Sequence, residues 1–198
     1  MRHRAALLVL AISFSSQPLL AQDSWGITPE IGSARFSGNA RSISDETLSG
    51  HPDGASTWGI RFDRSSRRLR LSVGVLYAST GVVFEDDQVI AGIKNALTLL
   101  EVTPELSATI FHVGGGQLRL HGGMAIDRWS PDGDNRRTAL GGLGALSLEA
   151  PLTPRLNLAV RWEAVITGSV FDENDLPSTF ERAQGVRQRF GIGARVGI

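Results

Sequence analysis

Residues Leu156–Phe171 read LNLAVRWEAVITGSVF, a sequence in which two kinds of side chain alternate. From Leu156 to Val170 every second residue is apolar, apart from Gly168, whereas Arg161 and Glu163 occupy the other parity. A period of two is that of a β-strand with one apolar and one polar face. Strands that cross a membrane need roughly 9–11 residues, whereas soluble strands average about 5–6. At 16 residues, this stretch predicts a membrane-crossing strand.

Seven further stretches repeat the alternation and are also predicted to be strands. They are Trp25–Phe36, Ser56–Arg64, Arg68–Gly81, Leu97–Phe111, Gln117–Trp129, Thr138–Ala150 and Arg187–Ile198. Proline cannot donate a ladder hydrogen bond, so Pro29 and Pro104 are predicted to mark irregularities in their strands. For Val89–Leu100, a short helix is the alternative interpretation.

The connections between these strands alternate between long and short. Polar loops follow the first, third, fifth and seventh strands, at Ser37–Ala55, Glu85–Asp87, Ser130–Arg137 and Asp172–Val186. Short periplasmic turns and longer external loops are typical of outer-membrane barrels. After Gln22 there is no apolar run of 18 residues, so entry into a membrane requires a closed sheet. We therefore predict an all-β fold, an eight-stranded antiparallel up-and-down transmembrane β-barrel.

The first residues have the pattern of an export signal. Arg2, His3 and Arg4 form a basic segment, an apolar run covers Ala5–Ile12, and small residues lead to Ala21. This run is too short for a spanning helix, which needs about 20 residues. We therefore predict a cleaved secretory signal peptide over residues 1–21 and an outer-membrane barrel over residues 22–198.

Composition excludes several classes of protein. Lys plus Arg and Asp plus Glu both number 20, and no basic cluster alternates with aromatic residues. A nucleic-acid partner is therefore not predicted. The absence of cysteine excludes disulfides, thiolate zinc sites and cysteine nucleophiles.

The inward parity of the predicted strands carries both signs of charge. Within a narrow lumen an unpaired charge is costly, whereas interleaved arginines and carboxylates can satisfy one another. A structural plug is therefore predicted, with a gated ion path as the alternative. The predicted network comprises Glu30, Arg61, Asp63, Arg70, Glu101, Glu105, Arg119, His121, Asp127, Glu149, Arg161, Glu163, Arg189 and Arg195.

The large aromatic residues are predicted to mark the membrane interfaces. Trp25, Trp58, Tyr77 and Trp162 lie near strand ends or on the outward parity, as in the aromatic girdles of barrels. Trp129 has inward parity. The alternative is that these residues form the core of a soluble sandwich.

Candidate chemistry is sparse. His121 is the one histidine predicted inside the barrel, where it could meet Ser147 and either Glu149 or Glu163, but G-x-S-x-G is absent. The histidines lack metal-ligand spacing, and the acidic loops lack the calcium-loop pattern. The glycine-rich segments lie within strands and do not predict a nucleotide site. No catalytic residue, metal or cofactor is predicted.

With a signal, eight alternating strands and asymmetric loops, the sequence resembles the OmpA-like transmembrane domain and the OmpX-like proteins. The resemblance is architectural, and it implies a bacterial outer-membrane location and assembly by the barrel insertion machinery. Such barrels usually end in an aromatic residue, whereas this sequence ends in Ile198 after the alternation that begins at Phe190.

These patterns predict a monomeric, non-enzymatic outer-membrane protein with a charge-plugged lumen. Its partners would be outer-membrane lipid, the insertion machinery and an unidentified partner of the loops Ser37–Ala55 and Asp172–Val186. Two alternatives stay open: a lipid-modifying barrel enzyme using His121, and a soluble periplasmic calyx whose apolar faces point inward.

Overall fold

The computed structural model describes residues 24–43, 49–66, 68–85, 90–131, 136–171, 176 and 178–198. The predicted signal peptide lies outside these residues. No helix within them is long and apolar enough to cross a membrane. The strands are β1 (Ser24–Ser42), β2 (Ser49–Pro52), β3 (Ala55–Ser66), β4 (Leu69–Glu85), β5 (Ile90–Val113), β6 (Gly116–Pro131), β7 (Arg137–Thr153), β8 (Leu156–Thr167) and β9 (Phe180–Gly197).

The strands form one closed antiparallel sheet. Each of β3 to β8 pairs with the next strand along the chain, and β9 pairs back onto β1. Both β2 and β3 lie between β1 and β4, separated by Asp53 and Gly54, so together they form one wall strand. The predicted eight-stranded up-and-down barrel is confirmed. We call the side with the chain ends and the connections 66–69, 113–116 and 153–156 the turn end, and the opposite side the loop end.

Apolar side chains point away from the lumen. Ile31 is 68% exposed and Leu71 is 63% exposed, whereas Glu101 and Glu163 are each 1% exposed. This is the arrangement predicted for a strand facing lipid, and it is opposite to that of the calyx alternative. Trp25, Trp58 and Trp162 are also exposed, whereas Trp129 is buried in the lumen, as its parity predicts.

Several strands are longer than predicted, and two predicted loops are wrong in part. Within Ser37–Ala55, β1 continues to Ser42 and β2 occupies Ser49–Pro52, while β9 begins inside Asp172–Val186 at Phe180. These strand ends rise above the apolar surface, so polar residues occur on both faces and the alternation disappears. The helix alternative for Val89–Leu100 is also wrong, since β5 extends from Ile90 to Val113.

Each proline interrupts the ladder on one side. Pro29 pairs with Ile60 and Pro104 with Val73, but the pairing of β1 with β9 skips residues 28–29 and that of β5 with β6 skips residues 103–104. The register is the same before and after each gap, so the predicted irregularities are gaps in pairing and not bulges. Register shifts occur instead between residues 38 and 40, 80 and 82, 109 and 111, and 151 and 153.

The exposed apolar face predicts a position-dependent penalty for charge. Ile192 lies within the outward apolar row of β9 and is 47% exposed, whereas Gln184 is an exposed polar residue nearer the loop end of that strand. In phosphatidylcholine bilayers, Ile192→Arg should lower the free energy of unfolding by about 2–4 kcal/mol, because the charge would enter hydrocarbon. Urea titration measures this, with Gln184→Arg as the control, which should cost about 1 kcal/mol or less. Equal costs would contradict a lipid-facing Ile192.

Candidate functional site: the charged lumen

All the charged side chains and the histidine predicted for the lumen lie inside the barrel, each at most 8% exposed. The structure adds Arg187, which is 4% exposed. Arg187 is the first residue of the last predicted strand, and it was not included in the predicted network. Arg187 has the same parity as Arg189, which predicts that it also faces the lumen. Among the described residues, the lumen then contains seven carboxylates and seven arginines. The buried charge is therefore balanced.

At the turn end, two arginines hold two carboxylates. Arg70 donates to both oxygens of Glu149 at 2.5 and 3.0 Å. Arg195 donates to both oxygens of Asp63, with Nη2 at 2.7 Å and Nε at 3.0 Å. The Nε of Arg70 also lies 3.3 Å from Asp63 and links the two pairs. Such bidentate pairs fix geometry as well as charge.

In the middle of the lumen, Glu105 joins two arginines. Its Oε1 lies 2.6 Å from Arg61 Nε, and its Oε2 lies 2.7 Å from Arg161 Nη2. Arg61 continues to Glu30 at 3.0 Å, and Arg161 continues to Glu163 at 2.9 Å. The chain of charges therefore crosses the barrel from β1 to β8 and braces opposite walls.

Toward the loop end, Arg187 lies among carboxylates. It contacts Glu101 directly, lies 3.3 Å from Asp127 and lies 3.9 Å from Glu163. Arg189, two residues further along β9, donates to Glu30 at 3.0 Å. These contacts connect the loop-side charges to the middle group.

Arg119 is satisfied without a carboxylate within hydrogen-bonding distance among the described residues. It donates to Thr109 Oγ1 at 2.6 Å, to Ser107 Oγ and to Gln117 Oε1, both at 3.3 Å. Gln117 in turn donates to Glu149 at 3.0 Å. The hydroxyl and carboxamide groups therefore extend the ionic network where a direct ion pair is missing.

His121 meets Ser147 as predicted, but its acidic neighbour differs. Nε2 lies 2.7 Å from Ser147 Oγ, while Nδ1 lies 2.9 Å from Arg161 Nη1 and 3.3 Å from Glu105 Oε2. Glu105 thus takes the place predicted for Glu149 or Glu163. A guanidinium can only donate and a carboxylate can only accept, so the two Nδ1 contacts favour opposite tautomers, and the shorter one, with Arg161, favours a proton on Nε2. In this tautomer Nε2 donates to Ser147 and cannot accept the hydroxyl proton as a general base would.

The charged lumen leaves little open space. A cavity of about 20 Å³ lies between the turn-end and middle groups, with His121, Ser147 and Arg61 in its wall. This volume suits about one water molecule. Within the described part of the chain, no group of three or more His, Asp or Glu side chains is arranged to hold a metal ion.

Above the charges, the loop end of the lumen is filled by apolar side chains, which we call the apolar cap. The rings of Phe36 and Trp129 pack edge to face in it, with centroids 5.7 Å apart. Parity alone does not distinguish the wall residues of this cap from the charged residues of the lumen, and Val170 has the parity predicted to face outward. The cap consists of Ala34, Phe36, Ala55, Leu76, Ala78, Val82, Leu97, Leu99, Trp129 and Val170.

Val170 reaches the cap from a segment that leaves the wall, residues 168–171, which we call the strap. Ser169 Oγ donates to the Asn39 carbonyl at 2.6 Å, and Val170 N donates to Asn39 Oδ1 at 3.2 Å. Arg137 Nη1 donates to the Val170 carbonyl at 3.1 Å. The strap therefore links β1 to β7 across the interior.

Asn39 holds the strap because the backbone turns it inward. It has a φ of 84°, follows Gly38 at 74°, and lies at the register shift between β1 and β9. A bulge of this kind redirects a side chain, and Asn tolerates the left-handed conformation better than most residues. Opposite it, a Cβ on Gly185 would overlap the Asn39 carboxamide. Spacing alone gives no signal for such a contact.

Comparison with solved structures shows similarity to small outer-membrane barrels at low sequence identity. Outer membrane protein OprG from Pseudomonas aeruginosa has a TM-score of 0.62 and 11% identity, over 89% of this chain and 96% of that chain. Neisserial surface protein A has a TM-score of 0.57 and 13% identity, over 87% of this chain and 96% of that chain. Outer membrane protein AlkL has a TM-score of 0.56 and 8% identity, over 100% of this chain and 97% of that chain. No protein-family model and no curated protein matches the sequence. The chain has the fold of these barrels, and at such identities the likeness concerns fold alone.

The ion pairs at Glu105 predict a large effect of removing one charge. Glu105→Gln keeps the side-chain size but leaves Arg61 and Arg161 short of a buried counterion. The free energy of unfolding in detergent micelles should fall by about 3–5 kcal/mol. Urea titration followed by tryptophan fluorescence checks this value.

The matched control is Glu181→Gln, which breaks the exposed pair with Arg41. It should cost about 1 kcal/mol or less. A loss for Glu105→Gln no larger than this would show that the lumen pairs do not brace the barrel.

The strap predicts that Asn39 limits access to Val170. The sequence contains no cysteine, so Val170→Cys provides a unique thiol. Adding Asn39→Ala should speed its reaction with a water-soluble maleimide and lower the free energy of unfolding by about 1–3 kcal/mol, because buried strap groups lose their partners. Ile43→Cys, 66% exposed in the parent chain, should react equally fast with or without Asn39→Ala. An unchanged Val170→Cys rate would contradict the role of Asn39.

Proposed function

We propose that this protein resides in the bacterial outer membrane as a non-enzymatic barrel. Its lumen acts as a structural plug, and its loop end faces the cell exterior. The apolar outer face and the fold shared with small outer-membrane barrels support this location. Strand ends that rise above the apolar face, including those of β1, β5 and β9, support a role in surface interaction.

The observation that carries the proposal is the pairing of charge inside the lumen. Six of the seven buried arginines contact a carboxylate, and Arg119 is held by hydroxyl, carboxamide and carbonyl oxygens. An ion moving along the axis would have to separate these pairs and then pass the apolar cap. A gated ion path is therefore less well supported than a plug.

The enzyme alternative has one observation in its favour, the short contact between His121 and Ser147. Two features oppose it. The shorter Nδ1 contact, with Arg161, favours the tautomer in which Nε2 is a donor, and the adjacent cavity has room for about one water molecule. A lipid acyl chain would have no space beside Ser147, so we favour a structural role for both residues.

Conductance tests the plug directly. The full chain, inserted into a planar phosphatidylcholine bilayer, should give no conductance steps above the lipid background. A control variant that replaces Glu30, Arg61, Glu105 and Arg161 by Ser removes two charges of each sign from the middle of the lumen. Adding Phe36→Ala and Trp129→Ala also opens the apolar cap, and this combined variant should give small steps. Steady conductance by the parent chain would contradict the plug and favour the ion path.

A further inference from the structure

Among the charged side chains that the structure describes, the lumen contains both signs equally, whereas the outside carries mostly arginines. Of the nine acidic residues whose side chains the structure describes, seven lie in the lumen, and only Asp53 and Glu181 are exposed. Eight described arginines are exposed: Arg35, Arg41, Arg64, Arg68, Arg128, Arg136, Arg155 and Arg182. The described exterior is therefore cationic although the lumen is neutral.

One of these arginines lies at the upper edge of the apolar face beside a second polar residue. Arg35 on β1 is paired in register with Gln188 on β9, so their side chains are direct cross-strand neighbours on the outer wall. Both are exposed, and neither has a polar partner among the described residues. Toward the turn end, the next outward position of β9 is Phe190, which is 52% exposed, and that of β1 is Ser33, followed by Ile31, which is 68% exposed.

Arg41 shows what a satisfied arginine looks like on the same face. It lies nearer the loop end of β1, and its guanidinium is paired with Glu181. Arg35 is closer to the apolar surface and has no such carboxylate among the residues described. Two free donors directly above exposed apolar side chains fit a ligand that joins a phosphate to hydrocarbon chains.

We infer that Arg35 and Gln188 bind the phosphate of an anionic lipid in the outer leaflet. The guanidinium and the carboxamide donate to the phosphate oxygens, while the acyl chains lie along Phe190 and Ile31. Arg128 occupies a comparable edge position on β6, next to the outward residue Ile126. The inference rests on the proposed membrane location and adds a lipid class and a contact site to it.

Lipid retention measures this contact. The full chain is folded in phosphatidylcholine vesicles with or without phosphatidic acid, extracted into micelles and examined by native mass spectrometry while phosphatidic acid is titrated. Arg35→Gln should weaken phosphatidic acid binding about fivefold, since one basic residue near a membrane surface contributes about that factor. Arg41→Gln, on the same face but already paired, should leave binding unchanged. Both positions are exposed, so a heat-modifiability gel should show folded barrels for both variants.

These experiments distinguish the lipid contact at Arg35 from the membrane location of the protein. Insertion into both vesicle types with equal effects of Arg35→Gln and Arg41→Gln would overturn the contact alone. Inhibition of lipid binding by an equal concentration of inorganic phosphate would also overturn it, because the site would then recognise the free anion. Failure to insert into either vesicle type would overturn the membrane location and this inference together.

Discussion

An eight-stranded barrel encloses a space just wide enough for side chains, and a charge placed there has almost no water to solvate it. Every buried carboxylate therefore needs a cation within reach, and every arginine needs acceptors. The described lumen meets this condition with seven groups of each sign, arranged as one group around Asp63 at the turn end and a second that reaches Asp127 below the apolar cap. Pairs such as Arg70–Glu149 and Arg61–Glu105 join strands that are not neighbours in the sheet, so the ladder hydrogen bonds and these ionic contacts brace the wall in different directions.

The exterior follows from the same sorting of side chains. Seven of the nine described carboxylates lie in the lumen, and the described outer wall carries apolar residues with arginines near their edges, for example Arg35, Arg68 and Arg128. A surface of that kind suits hydrocarbon flanked by anionic headgroups, whereas acidic residues at the edges would be repelled. The inside and the outside of the barrel thus depend on one period-two pattern.

That pattern explains which features could be predicted from the sequence. Alternation from Leu156 to Ile166 identifies the strand and both of its faces, so the fold and the burial of groups such as Glu105 and Arg161 follow from parity. The predicted continuation to Phe171 is wrong, since β8 ends at Thr167 and Val170 turns into the lumen. Parity does not say which inward groups meet across the barrel, because this depends on the closure of β1 onto β9 and on register. The acidic neighbour of His121 was therefore assigned incorrectly. Strand ends that rise above the apolar face contact no lipid, so their side chains do not alternate between apolar and polar. For this reason the sequence of Ser37–Ala55 predicts a loop although parts of it are strand.

The strap has a mechanical consequence. β8 ends at Thr167, whereas its neighbours β7 and β9 extend nearer the loop end, to Arg137 and Phe180. This leaves the rim interrupted on one side. Because residues 168–171 are tied to Asn39 and Arg137, they act as a chord across that gap, and a displacement of the rim at β1 is transmitted to β7 without passing through β9. The β1 side and the β7 side of the rim are therefore coupled, and a molecule bound to one side would also restrain the other.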